Sequence, residues 1–404
     1  MSFTNGLSTE EAYEMITKNL QETLNGQIIK EVLEKKERPL SLYWGTAPTG
    51  KVHCGYFVPM TKLAHFLKAG CEVKVLLADL HAFLDNMKAP LDVVNYRATY
   101  YELCIKAILK SINVPIEKLK FVVGSSYQLS AEYTMDIFRL SNSVSQNDAK
   151  RAGADVVKQV SNPLLSGLIY PLMQALDEEF LKVDAQFGGV DQRKIFVLAE
   201  ENLPSMGYKK RAHLMNPMVP GLTQGGKMSA SDPNSKIDIL EEPKSVKKKI
   251  NTAFCAPGNV DDNGLLSFVQ YVIQPIQELK NDKAGYFKFF IDRPEKFGGP
   301  ITFNSFEEMK QAFKEEKLSP PDLKIGVADA INELLAPIIE ELKSNEKFLE
   351  ASAKGYPEVV KQKTKKVKQP KNKGSFYPGA QKNNDASADK ATEKVAEKVE
   401  EMKL

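Results

Sequence analysis

The sequence is poor in cysteine, histidine and tryptophan, and it has no long hydrophobic run. Its 404 residues include four cysteines, four histidines and one tryptophan. The cysteines show neither metal-ligand spacing nor a disulfide framework, which excludes a zinc ribbon or a disulfide-rich secreted domain and favours a reducing compartment. No apolar segment is long enough to span a bilayer, and residues 1–19 resemble no targeting signal. We therefore expect a cytoplasmic protein with no membrane partner.

Positive and negative charges nearly balance over most of the chain, and the positive excess lies near its end. The net charge is +3, whereas residues 357–404 hold 12 lysines against 7 acidic residues. The preceding 356 residues therefore sum to −2, so attraction to RNA must come from local patches or from the lysine-rich segment. Its low apolar content predicts a disordered tail, with weak RNA tethering, nuclear import through residues 363–371 and a solubilising role as candidate functions.

A strand, a glycine turn and a helix are predicted near the start of the chain. Leu40, Leu42 and Trp44 alternate with small or polar residues, as in a half-buried strand, and a Thr/Pro/Gly turn follows. The helix is expected to begin near Pro59 and to end before Gly70. Such a turn directs backbone N–H groups and the positive end of the helix dipole at one point, which favours an anion there.

The same turn has the glycine and lysine spacing of a P-loop, from Gly45 to Gly50 and Lys51. Val52 follows and lacks the hydroxyl that holds Mg²⁺, which weakens this interpretation and leaves a P-loop-like NTPase as an alternative. His53 lies at the turn, where an imidazole N–H can donate to a phosphate oxygen as charge builds up on it. An ordinary strand-to-helix turn is the structural alternative.

Two later segments have the composition of nucleotide-binding loops. In residues 225–231, a lysine and two serines follow two glycines, a flexible entry that lets a loop close over a ligand. In residues 186–192, two glycines permit close approach of the backbone to a ligand, and Asp191 after them can bind both hydroxyls of a ribose. Either segment alone is weak evidence for a nucleotide site, but together with the His53 turn the two segments predict one.

Tyr170, Gln174 and Asp177 fall at positions i, i+4 and i+7 of a predicted helix, and therefore on one face. The surrounding sequence is strongly apolar, so the helix is expected to be buried and its polar stripe needs partners. A bound amino acid with a phenol ring would supply them. The alternative is an amphipathic helix with a solvated face.

The order of predicted elements indicates an α/β fold. Strand-like runs at residues 73–79 and 119–123 alternate with helical runs such as residues 91–112, the pattern of a parallel sheet. Sites in such sheets lie at the carboxyl ends of the strands. From about residue 239 to 355 the pattern becomes helical, with a strong helix at residues 327–342.

Two of these segments carry a family resemblance. Residues 53–56 (His-Cys-Gly-Tyr) resemble the HIGH motif of class I aminoacyl-tRNA synthetases, and residues 227–231 (Lys-Met-Ser-Ala-Ser) resemble their KMSKS motif. The resemblance covers about residues 39–350 and is strongest to the cytoplasmic tyrosyl enzymes of the fungal type. Tyr56 replaces the second histidine of the first motif and Ala230 the second lysine of the other.

The resemblance implies four parts of the chain. They are an N-terminal helical segment (residues 1–38), a Rossmann-like parallel-sheet catalytic domain (39–238), a C-terminal α-helical anticodon-binding domain (239–356) and the disordered basic tail (357–404). It also implies a homodimer, with the interface in an insertion at about residues 110–165.

The resemblance further implies which residues bind substrates. Tyr170 and Gln174 would bind the α-amino group of tyrosine, Tyr43 and Asp177 would meet its hydroxyl, and Gln192 would lie beside it. The residues that would stabilise the transition state are His53, Lys227 and Ser229. The implied ATP-binding residues are Ala47, Pro48, Thr49, Gly50, His53, Gly55, Tyr56, Gly189, Asp191, Lys227, Met228, Ser229 and Ser231. The implied anticodon contacts are stacking on Phe297 and a guanine-edge contact to Asp322.

The implied activity is the ligation of tyrosine to tRNA(Tyr). Tyrosine would react with ATP, in the presence of Mg²⁺, to give tyrosyl-adenylate and pyrophosphate, and the tyrosyl group would then pass to the 3′ end of the tRNA. No protein nucleophile and no protein-held metal ion is expected. Asp177 favours tyrosine, while a tryptophanyl enzyme and a catalytically inactive synthetase-like RNA-binding protein are the alternatives.

Overall fold

A six-stranded sheet organises the first two thirds of the chain. Its strands are β1 (Glu22–Leu24), β2 (Ser41–Thr46), β3 (Glu72–Leu77), β4 (Leu119–Val123), β5 (Ala185–Gly189) and β6 (Ala212–Asn216). In space they follow the order β1-β6-β5-β2-β3-β4. β2 pairs in parallel with both β3 and β5, so the strand order reverses between β2 and β5. Reversals of this kind open a crevice at the carboxyl ends of the two strands.

The structure is a computed structural model that describes residues 3–85, 89–157, 163–219, 221–222, 235–261 and 263–357. They fall within one compact unit, Met1–Glu358. The predicted disordered tail lies outside the described residues. The predicted boundaries at residues 38 and 238 stay predictions.

Sixteen helices are assigned in the described residues, and none of them has both the length and the apolar content needed to cross a bilayer. α3 and α5 pack against β3, and α2 packs against β6. The helices are α1 (Thr9–Thr17), α2 (Gly26–Lys35), α3 (Phe57–Lys68), α4 (Asp79–Leu84), α5 (Leu91–Ser111), α6 (Ser125–Gln128), α7 (Ala131–Ser143), α8 (Gln146–Ala152), α9 (Ser166–Phe180), α10 (Arg193–Asn202), α11 (Pro243–Thr252), α12 (Gly264–Phe268), α13 (Gln274–Asn281), α14 (Phe306–Lys314), α15 (Pro320–Lys343) and α16 (Glu346–Gly355).

The α/β prediction is confirmed, but the sheet is mixed and not wholly parallel. β1 pairs antiparallel with β6 and comes from the segment that was predicted to be helical only. It is three residues long, too short to show the two-residue alternation that identifies a strand in a sequence. The expectation of a half-buried β2 was also wrong, because β2 lies between β3 and β5 and is almost wholly buried.

The helix after the glycine turn agrees with its prediction. α3 ends at Lys68, and Gly70 follows with a φ of +86°. A Cβ atom at position 70 would lie 1.9 Å from the Phe3 carbonyl oxygen, so both the backbone conformation and the space require glycine.

The last third of the described chain is mainly helical, but it also contains a small two-stranded sheet. β7 (Phe289–Ile291) pairs antiparallel with β8 (Ile301–Phe303), within the part predicted to be α-helical. These strands again have only three residues each, which explains why the helical pattern dominated the prediction.

The end of the described chain packs on α5. Arg97 Nε donates to the Gly355 carbonyl at 2.8 Å, and the Tyr356 hydroxyl donates to the Gly50 carbonyl at 2.8 Å. The Arg97 guanidinium also lies 4.8 Å from the centre of the Tyr356 ring. Tyr356 is therefore part of the packed structure and not of the lysine-rich segment.

We predict that a chain truncated after Gly355 is less stable than one truncated after Pro357. The shorter chain loses the Tyr356 hydrogen bond and ring packing, at a cost of about 1–2 kcal/mol. Urea unfolding of the two truncated proteins and the full chain measures the difference. The chain ending at Pro357 should match the full chain, because the removed segment has little apolar surface to bury. Equal unfolding midpoints for both truncations would contradict a packing role for Tyr356.

Candidate active site

A cavity of about 360 Å³ opens at the carboxyl ends of β2 and β5, where the strand order reverses. A smaller cavity of about 180 Å³ adjoins it and shares Trp44, Tyr56, Phe187, Gly188 and Gly189 as walls. The predicted site residues that line the larger cavity are Tyr43, Ala47, Thr49, Tyr56, Tyr170, Gln174, Asp177, Gly189, Asp191 and Gln192. Residues far apart in the sequence thus meet at one crevice, as the fold class predicted.

α9 carries the predicted polar stripe into the larger cavity. Asp177 is 0% exposed, and its Oδ1 accepts hydrogen bonds from the Tyr127 hydroxyl and the Gln128 amide, both at 2.8 Å. The Tyr133 hydroxyl lies 2.9 Å from the same oxygen and 2.8 Å from the Met173 carbonyl, so its single proton is shared. The other carboxylate oxygen, Oδ2, has no hydrogen-bond partner among the described residues.

Burial raises the pKa of Asp177, whereas His81 and the hydrogen bonds from Gln128, Tyr127 and Tyr133 act in the opposite direction. A buried acceptor without a partner costs free energy unless a ligand satisfies it. The cavity therefore suits a ligand that places a hydroxyl donor at Asp177 Oδ2.

Amide side chains form a second polar group in the cavity. Gln174 Nε2 donates to Gln192 Oε1 at 3.0 Å, and the Tyr43 hydroxyl donates to the Gln174 carbonyl at 3.3 Å. A Cβ atom on Gly189 would lie 2.6 Å from Asp191 Oδ1, so glycine is needed for this carboxylate to fold back beside the strand end. The cavity thus carries hydrogen-bonding groups at its closed end and near its mouth.

His53 lines the smaller cavity as a neutral donor. Its Nδ1 accepts the Gly55 N–H at 3.2 Å, which leaves the proton of the neutral ring on Nε2. Burial, with a smaller contribution from Lys236, lowers the pKa of His53 to about 4. At neutral pH the ring is therefore uncharged, and its Nε2–H can donate to an anionic oxygen without being titrated.

Hydrogen bonds to two backbone carbonyl groups hold the turn between β2 and α3. Arg97 Nη1 donates to the Thr49 carbonyl at 2.8 Å, and the Tyr101 hydroxyl donates to the Gly50 carbonyl at 2.6 Å. Lys51 is exposed, and the helical segment after it begins three residues later, with a 3-10 turn at Cys54–Tyr56 that leads into α3. A P-loop needs its helix to start at the lysine, so the P-loop alternative does not fit this geometry.

Comparisons with known proteins agree with this arrangement. The family model of "tRNA synthetases class I (W and Y)" matches residues 35–336. The cytoplasmic tyrosine–tRNA ligase of Saccharomyces cerevisiae is 78% identical over 404 residues, which cover 100% of both proteins. The Xenopus tropicalis protein of the same name is 56% identical over 91% of this chain and 67% of its own. The crystal structure of a tyrosyl-tRNA synthetase from Archaeoglobus fulgidus with L-tyrosine is 37% identical, has a TM-score of 0.73, and covers 82% of this chain and 99% of its own.

The chain belongs to the class I tRNA synthetases. Within this synthetase, Tyr56 stands at the position of the second histidine of the family motif. Its hydroxyl lies 3.0 Å from the Thr46 hydroxyl, and its ring meets the rings of Trp44 and His53 edge to face. The substitution therefore leaves an aromatic wall between the two cavities in place of a second imidazole.

Some predicted site residues of this synthetase do not line the larger cavity. Gly55 and His53 line only the smaller cavity, and Pro48 and Gly50 line neither of the two. The remaining ATP-site predictions, Lys227, Met228, Ser229 and Ser231, lie outside the described residues. No group of three or more His, Cys, Asp or Glu side chains able to hold a metal ion occurs in the part of the chain that the structure describes.

The predicted anticodon residues lie in the mainly helical last third: Phe297 ends a short 3-10 turn after β7, and Asp322 lies near the start of α15. Phe297 is 62% exposed, and Lys296 Nζ lies 4.9 Å from the centre of its ring. Asp322 is buried in the first turn of α15, where its Oδ2 accepts from the Ser319 hydroxyl at 2.8 Å and from Arg293 Nη1 at 3.4 Å. The Phe297 ring is thus largely exposed, whereas Asp322 already has partners within the chain.

Sequence reasoning missed four residues around Asp177. Tyr127, Gln128, Tyr133 and His81 were given no role, yet the His81 ring is buried and lines the larger cavity. Tyr127 and Gln128 follow the end of β4 by a few residues. Polar residues after the carboxyl end of a predicted parallel strand were the signal that could have found them.

We predict that Asp177→Asn lowers kcat/KM for tyrosine in ATP–pyrophosphate exchange, with a loss of transition-state stabilisation of ~2–4 kcal/mol. The ratio of kcat/KM for tyrosine to that for phenylalanine should also fall. The amide keeps the size of the side chain but replaces a charged acceptor with a neutral group. Asp136→Asn is the matched control, since Asp136 is equally buried but bonds Tyr208 and Arg139 outside this cavity. An unchanged ratio of tyrosine to phenylalanine would exclude hydroxyl recognition by Asp177.

Proposed function

We propose that the chain is a tyrosine–tRNA ligase. It activates L-tyrosine with ATP to tyrosyl-adenylate and pyrophosphate and transfers the tyrosyl group to the 3′ end of tRNA(Tyr). The observation that carries this proposal is a buried carboxylate oxygen, Asp177 Oδ2, which has no hydrogen-bond partner in the part of the chain that the structure describes and belongs to a side chain that lines the cavity. The relatives named tyrosine–tRNA ligase support tyrosine over the tryptophan alternative that the family model leaves open.

In this proposal the ring of tyrosine enters the larger cavity and its hydroxyl donates to Asp177. The amino and carboxylate groups then face the mouth, near the Gln174 and Gln192 amides and the Tyr170 hydroxyl. The Tyr43 hydroxyl, which donates to the Gln174 carbonyl, belongs to the same cavity wall. The polar ends of the substrate thus match the two polar groups of the cavity.

ATP fits the adjoining cavity in this scheme. Its walls include the apolar side chains Val58, Met218 and Phe268, which suit a purine face, and Asp191 lies near the mouth for the ribose hydroxyls. The tyrosine carboxylate attacks the α-phosphate in line, so the protein has to position both groups and stabilise charge. The neutral His53 Nε2–H supplies one donor, and Lys227 with Ser229 would supply others.

Mg²⁺ enters this scheme with its substrate. Mg²⁺ is taken as part of the ATP complex, because it is commonly bound through substrate phosphates. No step is derived through it.

The partner proposed from the relatives' names is tRNA(Tyr), in the cytoplasm. A second copy of the chain is proposed on other grounds. The predicted interface region and its continuation carry large apolar side chains that are exposed in the single chain: Leu129, Met135, Phe138, Leu164, Leu165 and Ile169. Such a surface favours burial against another protein. The names of the relatives give no support to nuclear import.

ATP–pyrophosphate exchange across a panel of amino acids tests the proposed activity. Exchange with tyrosine, and none with tryptophan or phenylalanine, is the expected result. Exchange with tryptophan would select the tryptophanyl alternative. No exchange with any amino acid, in a protein that still binds tRNA, would select the inactive RNA-binding alternative.

For the anticodon contact, we predict that Phe297→Ala lowers kcat/KM for tRNA charging, the equivalent of ~1–3 kcal/mol, and leaves ATP–pyrophosphate exchange intact. A lost stacking contact affects the RNA alone, because the ring lies outside both cavities. Phe290→Ala is the control, as Phe290 is a similarly exposed phenylalanine on β7. Parallel loss of charging and exchange would mean that Phe297 supports the fold instead.

A further inference from the structure

His81 is a buried side chain of the larger cavity. The proposed reaction has so far given it no role. It lies on α4, which packs against α9, and its ring stands edge-on to the Tyr170 ring with centres 4.6 Å apart. The side chain is only 2% exposed, and it contributes to the wall of the larger cavity. A buried imidazole is polar on one edge, so its nitrogen atoms need partners.

His81 Nε2 has no hydrogen-bond partner among the described residues, and neither has Asp177 Oδ2. The two atoms are 3.8 Å apart, too far for a hydrogen bond with each other. An oxygen atom can lie about 2.8 Å from both, because that is the normal length of each bond. Both atoms are buried, and both belong to side chains that line the larger cavity.

We propose that His81 is a specificity-determining residue that binds the hydroxyl of the substrate ring together with Asp177. This inference rests on the proposed function, since it concerns the same tyrosine. With its proton on Nε2, His81 donates to the hydroxyl oxygen, and the hydroxyl donates its own proton to Asp177 Oδ2. One hydroxyl group therefore satisfies both atoms.

Phenylalanine leaves the same two atoms buried without partners. Discrimination then comes from the penalty of the wrong ligand as well as from the bonds of the right one. Burial lowers the pKa of His81 against the attraction of Asp177 and Asp79, which is consistent with a neutral ring that donates through one nitrogen. The edge-on contact with Tyr170 fixes the plane of the ring, so the donor direction is set before the ligand arrives.

His81→Leu tests the proposal, since leucine fills similar space without a nitrogen atom. We expect the tyrosine-to-phenylalanine ratio of kcat/KM in ATP–pyrophosphate exchange to fall about tenfold, the equivalent of one buried hydrogen bond. His81→Gln keeps an N–H donor and should retain more of the ratio than His81→Leu. His65→Leu is the matched control, because His65 is also buried but lies on α3 outside both cavities, and its ratio should not change.

A fall of equal size for tyrosine and phenylalanine would overturn the proposal, because His81 would then only shape the cavity. Wild-type exchange with tyrosine has to be present, and its absence would count against the proposed function and not against His81 alone. For variants that do not fold, ¹⁵N spectra of the histidine-labelled wild-type protein give a second readout. Among the four histidines, one ring nitrogen should shift on addition of tyrosine and not of phenylalanine. Equal spectra with both amino acids would exclude the contact.

Discussion

The site depends on one constraint, which is the burial of the Asp177 carboxylate. A carboxylate away from water is costly, and the chain offsets that cost by converging donors on a single oxygen. Because Oδ1 is held from α6 and α7, Oδ2 is held in place as well, and it has no hydrogen-bond partner among the described residues. The orientation of one oxygen atom is therefore set by helices outside α9, and the ligand supplies the missing bond.

This constraint connects the cavity to a distant part of the surface. α6 and α7 carry the donors Tyr127, Gln128 and Tyr133 on their inner side, and they expose Met135 and Phe138 on the outer side. In the proposed homodimer these outer side chains would be buried by the second copy. Association would then steady the same helices that orient Asp177, and the proposed dimer and the tyrosine site would share their supporting elements.

Much of this arrangement could be predicted from the sequence, because local patterns determine it. The spacing of Tyr170, Gln174 and Asp177 predicted one face of α9, and the glycines around position 188 predicted close backbone contact at the end of β5. The three-residue strands could not be predicted, because their periodicity is too short to detect. The donors to Asp177 were missed for a different reason: they lie 44 to 50 residues upstream and meet it only through the order of the strands. The bond from Tyr356 to Gly50 spans 306 residues and has no local signal at all.

The central claim is that this crevice binds tyrosine through its ring hydroxyl, and a crystal structure of the protein with L-tyrosine tests it most directly. The account predicts the ring in the larger cavity, with the hydroxyl oxygen about 2.6–3.0 Å from Asp177 Oδ2 and with the amino group near Gln174. A tyrosine bound with its hydroxyl towards the mouth, or one bound outside this cavity, would contradict the account.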